Sequence, residues 1–546
     1  MDIRLAEVIV FLGFFLVISL IFSRIEGLWL SLQQRFMLLA NRRFAPYFLL
    51  FGLSLLLYFT LFLIYQPYPT VHDEFGYLLG ADTLLHGRLS NPTHPMWTFF
   101  ETHHIFHLPS YSQKYPIGQS LFLALGQAVF GKPIVGVWLC MALANGAIFW
   151  MLGGYVPRSW ALAGALGVTV YEKFVMHWGM TFWGGGVAML GGALFFGALK
   201  RVMDKPNRRD ASLLALGTIV LANSRPFEGM VAMLPATCWL LFWFFNNYKV
   251  LIVKFLLPFG VLFGLGLAGM MFHNYRVVGN PFKMYYNAYN PQYEEARPLL
   301  ILPPNPPPIY RHKSMKDWHD VELKLYRERR SIEGFIYTAF YEKPLYYAKF
   351  YLNFVFLLPF LLFVFKKRKT TYDKFILITI LVGIILTSLN PWSQGHYFAP
   401  FVGLIALAIL QGFRQLQEAS RSDLRYRPLL SKVYLIATTL TLFTHIAMAG
   451  VMSYRQNKQK SGLYFKQVHE QTLTQQGGRH LILVRYSPQH SCYYEWVFNG
   501  ADLQNAPVLW AHDMGDAENQ RLLNHYRNRK IWRLEPDTSA EKLIPL

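Results

Sequence analysis

The chain has 546 residues, of which 53% are hydrophobic, 17% aromatic and only 15% charged, and its mean hydropathy is positive. Soluble globular proteins carry about 25% charged residues, so the composition excludes an ordinary soluble protein. The net charge is +21, but the basic residues stand in short loops between apolar runs, which is typical of membrane proteins and not of nucleic-acid-binding surfaces. We therefore expect a membrane environment and no nucleic-acid partner.

Long apolar runs recur along most of the sequence. A helix of about 20 apolar residues crosses roughly 30 Å of hydrocarbon, so the pattern predicts an α-helical polytopic membrane protein with about 12–13 transmembrane helices. The predicted helices lie near residues 6–23, 44–65, 134–155, 160–177, 180–199, 211–223, 226–245, 250–272, 346–365, 374–390, 396–413 and 431–453. The first lacks a small-residue cleavage site and is expected to be retained, not removed as a signal peptide.

The apolar run 117–130 is shorter than the others. Counting it as a full crossing would put the basic loop 200–210 outside, against the preference of Lys and Arg for the cytoplasmic side. We therefore expect a short, tilted or re-entrant helix packed under the loop that precedes it.

Four basic loops set the expected topology. Residues 24–43, 200–210, 366–374 and 414–432 each hold four or five Lys or Arg against one or two acids, which is the cytoplasmic bias of inner-membrane proteins. The sequence thus predicts a multi-pass protein of the inner (plasma) membrane. Its outer, periplasmic face would carry an outer catalytic loop at 66–116, a long loop at 273–345 and everything after Ser453.

Two domains are predicted. Residues 1–455 form the transmembrane domain, and residues 460–546 form a small α/β domain on the outer side, with strands near 481, 508 and 530 and a helix over 516–527. The three cysteines are too few for a disulfide framework. In the long outer loop, the segment 303–308 is nearly all proline and favours an extended conformation. That loop is either a flap over the substrate or a passive connector.

An adjacent acidic pair, Asp73 and Glu74, opens the first outer loop. In a helix neighbouring side chains diverge by about 100°, so one carboxylate can be catalytic while the other binds or structures. Both Asp73 and Glu74 are therefore candidate catalytic residues. A carboxylate at the membrane edge could accept the proton of an acceptor hydroxyl or amine during sugar transfer. The alternative is an ordinary acidic helix start, which the helix dipole favours.

Isolated cations on the expected outer loops are the second feature. Lys114 precedes Pro116, and Arg225 lies in the segment 223–228 with Glu228. A phosphate leaving group at the bilayer surface needs such donors, with Arg offering a bidentate fork and Lys a point charge. Either side chain could instead reach towards lipid headgroups.

Histidines are concentrated in the same loop. Six of the seventeen fall between 65 and 116, at His72, His86, His94, His103, His104 and His107. The i, i+4 spacing of His103 and His107 would put both rings on one helix face, and a nearby carboxylate could complete a divalent metal site. No HExxH or paired-cysteine signature is present, so hydrogen bonding to substrate, or an interface role, is preferred and a divalent ion stays a candidate cofactor.

The first 240 residues resemble the GT-C superfamily of integral-membrane glycosyltransferases, which includes protein O-mannosyltransferases and the lipid A aminoarabinose transferase. The similarity is carried by three segments in order after the second helix, namely 72–77 with the acidic pair, 81–89, and Lys114-Tyr115-Pro116 leading into a helix. The later helices agree only by pattern. A single proline follows Lys114 where many relatives have two, and His103-His104 has no counterpart in the family pattern.

This resemblance implies a polyprenyl-phosphate-linked sugar donor and an acceptor on the outer side, which could be a glycan, a lipid or a protein. It matches Asp73 to the family's catalytic base and Lys114 to a residue that contacts the donor phosphate, while Arg225 and Glu228 match more loosely. The candidate substrate- and phosphate-binding set is completed by Tyr115, Arg88, His103 and His104.

Two other functions are consistent with the sequence. A lipid-linked-sugar flippase or transporter would perform no bond chemistry, but it would need intramembrane charges along a path, whereas the ionisable groups here stand mostly in loops. A structural or assembly subunit would use its outer tail as the working part.

Overall fold

The computed structural model describes residues 3–247, 252–419 and 427–546. The helices of the first half are Ile3–Asn41 (α1), Ala45–Ile64 (α2), His72–Leu85 (α3), Gly118–Phe130 (α4), Pro133–Leu152 (α5), Arg158–Val170 (α6), Glu172–Phe174 (α7), Gly185–Asp204 (α8), Arg208–Ala222 (α9), Pro226–Asn247 (α10) and Leu257–Val278 (α11). Those of the second half are Tyr285–Tyr293 (α12), Lys313–Arg330 (α13), Ile332–Tyr337 (α14), Lys343–Tyr351 (α15), Phe354–Val364 (α16), Thr371–Thr387 (α17), Val402–Ala419 (α18), Arg427–Lys458 (α19), Gly462–Gln476 (α20), Asp516–His525 (α21) and Pro536–Ser539 (α22).

Short irregular turns and six strands complete the structure. Single π-helical turns lie at Val175–Gly179, Ile252–Leu256 and Thr338–Glu342, and 3-10 turns at Trp97–Phe99 and Gly395–Phe401. The strands are Ile105–Phe106 (β1), Ser112–Gln113 (β2), His480–Val484 (β3), Val508–His512 (β4), Lys530–Leu534 (β5) and Leu543–Pro545 (β6).

The helical, multi-pass membrane architecture predicted from the sequence is confirmed. Among the described residues, eight helices are long and apolar enough to cross a membrane, and a bent pair, α14–α15 with α16, would make nine. The eight are Glu7–Asn41, Ala45–Ile64, Pro133–Leu152, Gly185–Asp204, Pro226–Phe244, Lys254–Val278, Gly395–Glu418 and Lys432–Lys458. The count is lower than predicted because several apolar runs form shorter helices, such as α6 with 13 residues and α9 with 15.

The run 117–130 forms the 13-residue helix α4. At 1.5 Å per residue it rises about 20 Å, less than the roughly 30 Å of a hydrocarbon core. It packs against α3 and α5, and glycines allow the close approach. A side chain at Gly136 of α5 would place its Cβ 1.7 Å from the carbonyl oxygen of Phe122. The expected short helix under the first loop is therefore present.

Residues 460–546, the C-terminal unit, contain the small α/β fold that the sequence predicts. The sheet order is β4-β3-β5-β6, with β3 parallel to β4 and β5, and β6 antiparallel to β5. Every residue of β3 is buried, because a parallel central strand is covered on both faces. The predicted helix over 516–527 corresponds to α21.

The C-terminal unit is docked directly onto α3, the helix that begins with the acidic pair. Phe498 stacks on Phe75 with ring centroids 4.0 Å apart. The backbone N–H of Ala501 donates to Asp82 Oδ2 at 2.6 Å, and the Tyr111 hydroxyl donates to the carbonyl of Asn499 at 3.0 Å. The position of α3 is thus fixed by both the membrane helices and the C-terminal unit.

The long loop predicted at 273–345 contains helices that the sequence reading did not anticipate. The proline-rich segment 303–308 has no regular secondary structure, but α12 and α13 flank it. Trp318 of α13 lies against His72, with ring centroids 4.7 Å apart. The loop therefore packs over the first loop and its acidic pair.

Candidate functional site

The Asp73 carboxylate is held by three donors from separate parts of the chain. Its Oδ1 accepts from His104 Nδ1 at 2.7 Å and from the Tyr115 hydroxyl. Its Oδ2 accepts from Trp183 Nε1 at 2.9 Å. A carboxylate oxygen accepts about two hydrogen bonds, so Oδ1 is saturated while Oδ2 keeps one lone pair. The side chain is 19% exposed, so part of it is open to a substrate.

These donors also determine the ionisation of Asp73. Burial favours the neutral acid, but the hydrogen bonds from His104, Tyr115 and Trp183, together with the charge of His104, outweigh burial and hold the pKa of Asp73 well below its usual range. Hydrogen bonds to the charged form act in this direction. Asp73 is therefore a carboxylate at neutral pH, the form that can accept a proton.

Glu74 differs from its neighbour in every contact. Its Oε2 accepts the backbone N–H groups of Thr70 and Val71 at 2.7 and 3.2 Å, and its Oε1 accepts the N–H of Phe182 at 2.8 Å. The residue is 2% exposed, and burial raises its pKa against these hydrogen bonds. Glu74 thus ties the start of α3 to the segment that carries Trp183. Its contacts are those of a positioning residue, whereas the sequence reading grouped it with Asp73 as catalytic.

His104 is fixed in an unusual backbone conformation. Its φ is +60°, in the left-handed region that few residues other than glycine adopt. The Tyr289 hydroxyl accepts its N–H at 2.8 Å, and its carbonyl accepts the N–H of Lys114 at 3.0 Å. This local strain, compensated by the two contacts, aims Nδ1 at Asp73.

His103, a predicted substrate contact, points away from Asp73. It is fully buried, stacks on His72 with ring centroids 4.1 Å apart, and lies 3.9 Å from Glu495 of the C-terminal unit. Burial lowers the pKa of His72 to about 3 and lowers that of His103 as well. The predicted pairing of His103 with His107 on one helix face is wrong, because a turn and the strand β1 separate them.

Lys114 is not the isolated cation that the sequence indicated. Its Nζ forms an ion pair with Glu294, 180 residues along the chain, and lies 4.6 Å from the centre of the Tyr289 ring. Both side chains of the pair are at least nine-tenths buried. Lys114 lies beside the Asp73 site, since the following residue, Tyr115, is a donor to Asp73, but its charge is compensated.

Arg225 is the cation with free donors. It is 6% exposed, and among the described residues its Nε and Nη2 have no hydrogen-bond partner. The guanidinium lies 5.3 Å from the Tyr397 ring. Buried N–H groups are normally hydrogen-bonded, so this geometry favours a bound anion. Glu228, 5% exposed, lies one turn further along.

Asp73 and Arg225 lie near the same aromatic side chains, because the charges of both act on Tyr77 and Tyr397, and we call this group of residues the Asp73 site. Burial is the largest cause that raises the pKa of Tyr77 to about 12; the charge of Arg225 lowers this pKa and the charge of Asp73 raises it. On the other side, the Trp183 ring that bonds Asp73 lies 4.8 Å from the ring of His396, the neighbour of Tyr397. The rings of Tyr77, His396 and Tyr397 are therefore close to both the carboxylate and the guanidinium.

Arg88 is not part of the Asp73 site. It follows the end of α3, and its charge acts on Asp502 of the C-terminal unit. The structure thus brings Asp73, His104, Tyr115, Lys114 and Arg225 to one region, and it places Arg88 and His103 at the contact with the C-terminal unit.

Several site residues were not identified from the sequence. They are Trp183, His396, Tyr397, Glu294, Glu322 and Trp318. An indole N–H beside a glycine run, and the polar segment 393–397 between two apolar runs, were the available signals for the first three. The others stand in the loop that the sequence left undefined.

A group of potential metal ligands lies beside His104. One ligand atom each from His104, Glu294 and Glu322 lie within 4.8 Å of one another. His104 Nδ1 serves Asp73, while its Nε2 is buried with no partner among the described residues. Both carboxylates also have cationic neighbours, Lys114 for Glu294 and His319, at 2.7 Å, for Glu322.

No family model matches this sequence, and no curated protein matches it. Similar solved structures include ArnT from Cupriavidus metallidurans in the apo state, at TM-score 0.47 and 10% identity, covering 90% of this chain and 93% of that one. ArnT bound to undecaprenyl phosphate gives TM-score 0.44 and 10% identity over 91% of each chain. The apo oligosaccharyltransferase of Archaeoglobus fulgidus gives 0.48 and 10%, covering 89% and 69%.

These similarities extend along about nine-tenths of the chain. At this identity and these scores they carry no argument about the fold or the reaction.

The low pKa of Asp73 has a measurable consequence for stability. Because the folded-state pKa is depressed, the contribution of the ionised carboxylate is present above the unfolded value of about 4 and is lost as pH falls through the folded-state pKa. Thermal unfolding of the wild type and of Asp73→Asn should differ by a constant amount from pH 8 to pH 5, and the difference should shrink below about pH 4. If the difference in unfolding temperature between the wild type and Asp73→Asn already narrows between pH 8 and pH 5, the pKa of Asp73 is raised in the folded protein.

Proposed function

We propose that this protein is a membrane glycosyltransferase that moves a sugar from a polyprenyl-phosphate-linked donor to an acceptor at the outer, periplasmic face of the inner membrane. The observation that carries the proposal is the grouping of two opposite charges around the same aromatic side chains. It joins a carboxylate kept ionised and accessible, Asp73, to a buried guanidinium with free N–H groups, Arg225. A proton acceptor opposite an anion-binding group is what displacement of a phosphate by a hydroxyl requires.

The reaction follows from this geometry. The acceptor hydroxyl donates to Asp73 Oδ2, and its oxygen attacks the anomeric carbon of the donor sugar. The bond between that carbon and the phosphate oxygen breaks, and the lipid phosphate leaves with the electron pair. The proton passes to Asp73, and Arg225 stabilises the anionic leaving group through its two-pronged fork.

The remaining candidate residues take supporting parts. Tyr115 and His104 orient Asp73 and keep it ionised. Glu228 lies near Arg225, in the first turn of α10. Lys114 adds positive potential, and it would contact a phosphate only by exchanging its Glu294 partner. We assign 1–455 as the membrane domain and 460–546 as an outer domain whose contacts position α3, with Arg88 and His103 at that contact.

We also propose that a divalent cation binds His104, Glu294 and Glu322. The fit rests on the buried Nε2 of His104, which has no other partner among the described residues. A mixed imidazole and carboxylate set suits Mn²⁺ or Zn²⁺. When bound, such an ion would supply positive charge near the leaving phosphate and fix His104 through its second nitrogen.

The transporter alternative depends on charges within the membrane part. Ionisable groups are present where α1, α7 and α19 meet, because His445 Nδ1 is hydrogen-bonded to Glu172 and its Nε2 lies 4.0 Å from Glu7. The imidazole Nε2 also contacts the Asn353 amide at 2.9 Å. This cluster is buried and internally partnered, so it ties helices together and does not favour a transport path.

Replacing the base should abolish transfer and leave the fold intact. Purified Asp73→Asn should release lipid phosphate from a polyprenyl-phosphate-sugar at least about 1,000-fold more slowly than the wild type, since a positioned base contributes up to about 10⁴. The measurement is mass spectrometry of the lipid, with donor and acceptor taken from the glycolipid intermediates that accumulate in a null strain.

The matched control is Asp320→Asn, which neutralises an exposed carboxylate of α13 paired with Lys316 and should keep wild-type turnover. Wild-type rates in Asp73→Asn would remove Asp73 as the base. An intact null strain with no accumulated lipid-linked sugar would contradict the glycosyltransferase assignment itself.

The metal proposal is tested without activity. After treatment with a chelator, added Mn²⁺ or Zn²⁺ should raise the thermal unfolding temperature of the wild type, because an ion that binds only the folded state stabilises it. Glu322→Gln should lose this response, and Glu328→Gln, an exposed residue of the same helix, should keep it. An equal response in both variants would exclude this group as the site.

A further inference from the structure

A polar cavity lies away from the Asp73 site. It has a volume of about 400 Å³ and is formed where several helices end or begin. Its lining includes Gly154 and Tyr155 after α5, Lys200 in the last turns of α8, Lys366 before α17, Tyr372 in the first turn of α17, and Arg414 of α18. We call it the basic pocket.

The basic pocket and the Asp73 site lie at opposite ends of α8. This helix begins two residues after Trp183, the donor to Asp73, and reaches Lys200 near its end. Its 20 residues rise about 30 Å at 1.5 Å per residue. The pocket is therefore a separate site, at the end of the bundle that carries the basic loops 200–210 and 366–374.

The lining of the pocket holds three cations, Lys200, Lys366 and Arg414, and two carboxylates, Asp373 and Glu418. Both lysines have carboxylate partners. Lys200 pairs with Asp204, and Lys366 pairs with Asp373 at 2.9 Å. In the described part of the chain, the recorded partner of Arg414 is the neutral Gln411 Oε1, at 3.3 Å.

Arg201, next to Lys200, has neutral partners as well. It donates to the carbonyls of Gly197 and Trp150 at 2.9 and 2.7 Å. In the described part of the chain, the recorded hydrogen bonds of both guanidinium groups go to neutral acceptors. The lining itself, with three cations against two carboxylates, has a formal charge of +1. Guanidinium groups bind phosphate oxygens strongly in such surroundings.

Glycine keeps the pocket open at the critical point. A side chain at Gly154 would place its Cβ 2.9 Å from Arg201 Nη1, so any larger residue would cover this guanidinium. On the opposite wall, Lys200 lies 4.4 Å from the centre of the Tyr372 ring. The cavity is therefore accessible to a small polar group, with an aromatic floor beside its cations.

We propose that the basic pocket binds a phosphate-bearing anion, and that the headgroup of an anionic phospholipid is its source. The pocket lies at the ends of three candidate membrane spans, Pro133–Leu152, Gly185–Asp204 and Gly395–Glu418, where headgroups of the adjacent leaflet lie. Basic pockets between transmembrane helices on that face bind anionic headgroups in other membrane proteins. A free phosphate shares the same chemistry and is distinguished by experiment.

The test uses the full chain in detergent and native mass spectrometry with four probes: phosphatidylglycerol, phosphatidylcholine, glycerol phosphate and inorganic phosphate. The wild type should retain phosphatidylglycerol over phosphatidylcholine. The double variant Lys366→Gln/Arg414→Gln should weaken phosphatidylglycerol binding by about tenfold or more, since each cation near a headgroup contributes about one factor of five. Gly154→Leu, which fills the pocket without changing charge, should act in the same direction.

Lys205→Gln is the charge-matched control, because Lys205 is exposed just beyond α8 and does not line the pocket. It should bind phosphatidylglycerol like the wild type. If glycerol phosphate or inorganic phosphate displaces the lipid at similar concentration, the anion site stands and its source is soluble phosphate. Equal retention of both lipids by the wild type, or undiminished phosphatidylglycerol binding by both pocket variants, would overturn the proposal.

Discussion

The hydrogen bonds to Asp73 are the interaction on which the site depends. A carboxylate in a largely buried position would ordinarily become protonated, and here three donors keep it charged. Tyr115 and His104 come from the first loop, and Trp183 comes from the turn before α8. The backbone contacts of Glu74 hold these segments together. The site is therefore assembled by distant parts of the chain around one negative charge.

A carboxylate with so low a pKa is a weak base, and this constrains the reaction. In the proposed reaction, Asp73 is too weak a base to remove a proton from a resting hydroxyl, so proton transfer accompanies bond formation to the sugar, when the attacking oxygen becomes acidic. The acceptor is activated chiefly by orientation and by the departure of the phosphate. That places weight on Arg225, whose free N–H groups are ready to receive the developing charge without reorganisation.

Some of this arrangement could be predicted from the sequence, and the limits are physical. Hydropathy and charge bias identify the membrane helices, and the adjacent acids and Arg225 stand out because charges are few in this chain. The residues that pair with those charges cannot be identified from the sequence. Lys114 looks isolated in the sequence, but in the fold it contacts Glu294, which is 180 residues away along the chain. Arg88 looks equivalent to Arg225 in the sequence, but in the fold it lies near Asp502 of the C-terminal unit.

The helix α13 carries site residues that could not be identified from the sequence. Its residues Trp318 and Glu322 have ordinary helix-surface spacing, and only the path of the preceding proline-rich segment brings them to His104. The short helix α4 was predictable because its length and the charge rule are both local properties. Contacts between distant segments, by contrast, follow from packing that no local pattern encodes.

The central claim is that Asp73 and Arg225 serve one transfer reaction with separate roles, Asp73 towards the acceptor and Arg225 towards the lipid phosphate. Binding of undecaprenyl phosphate to the purified protein, measured by native mass spectrometry in the wild type, Asp73→Asn and Arg225→Gln, tests it most directly. The account predicts undiminished or tighter binding in Asp73→Asn, where a negative charge is removed, and a loss of about tenfold or more in Arg225→Gln, where a charge-assisted contact is lost. Equal binding by Arg225→Gln and the wild type would contradict the account.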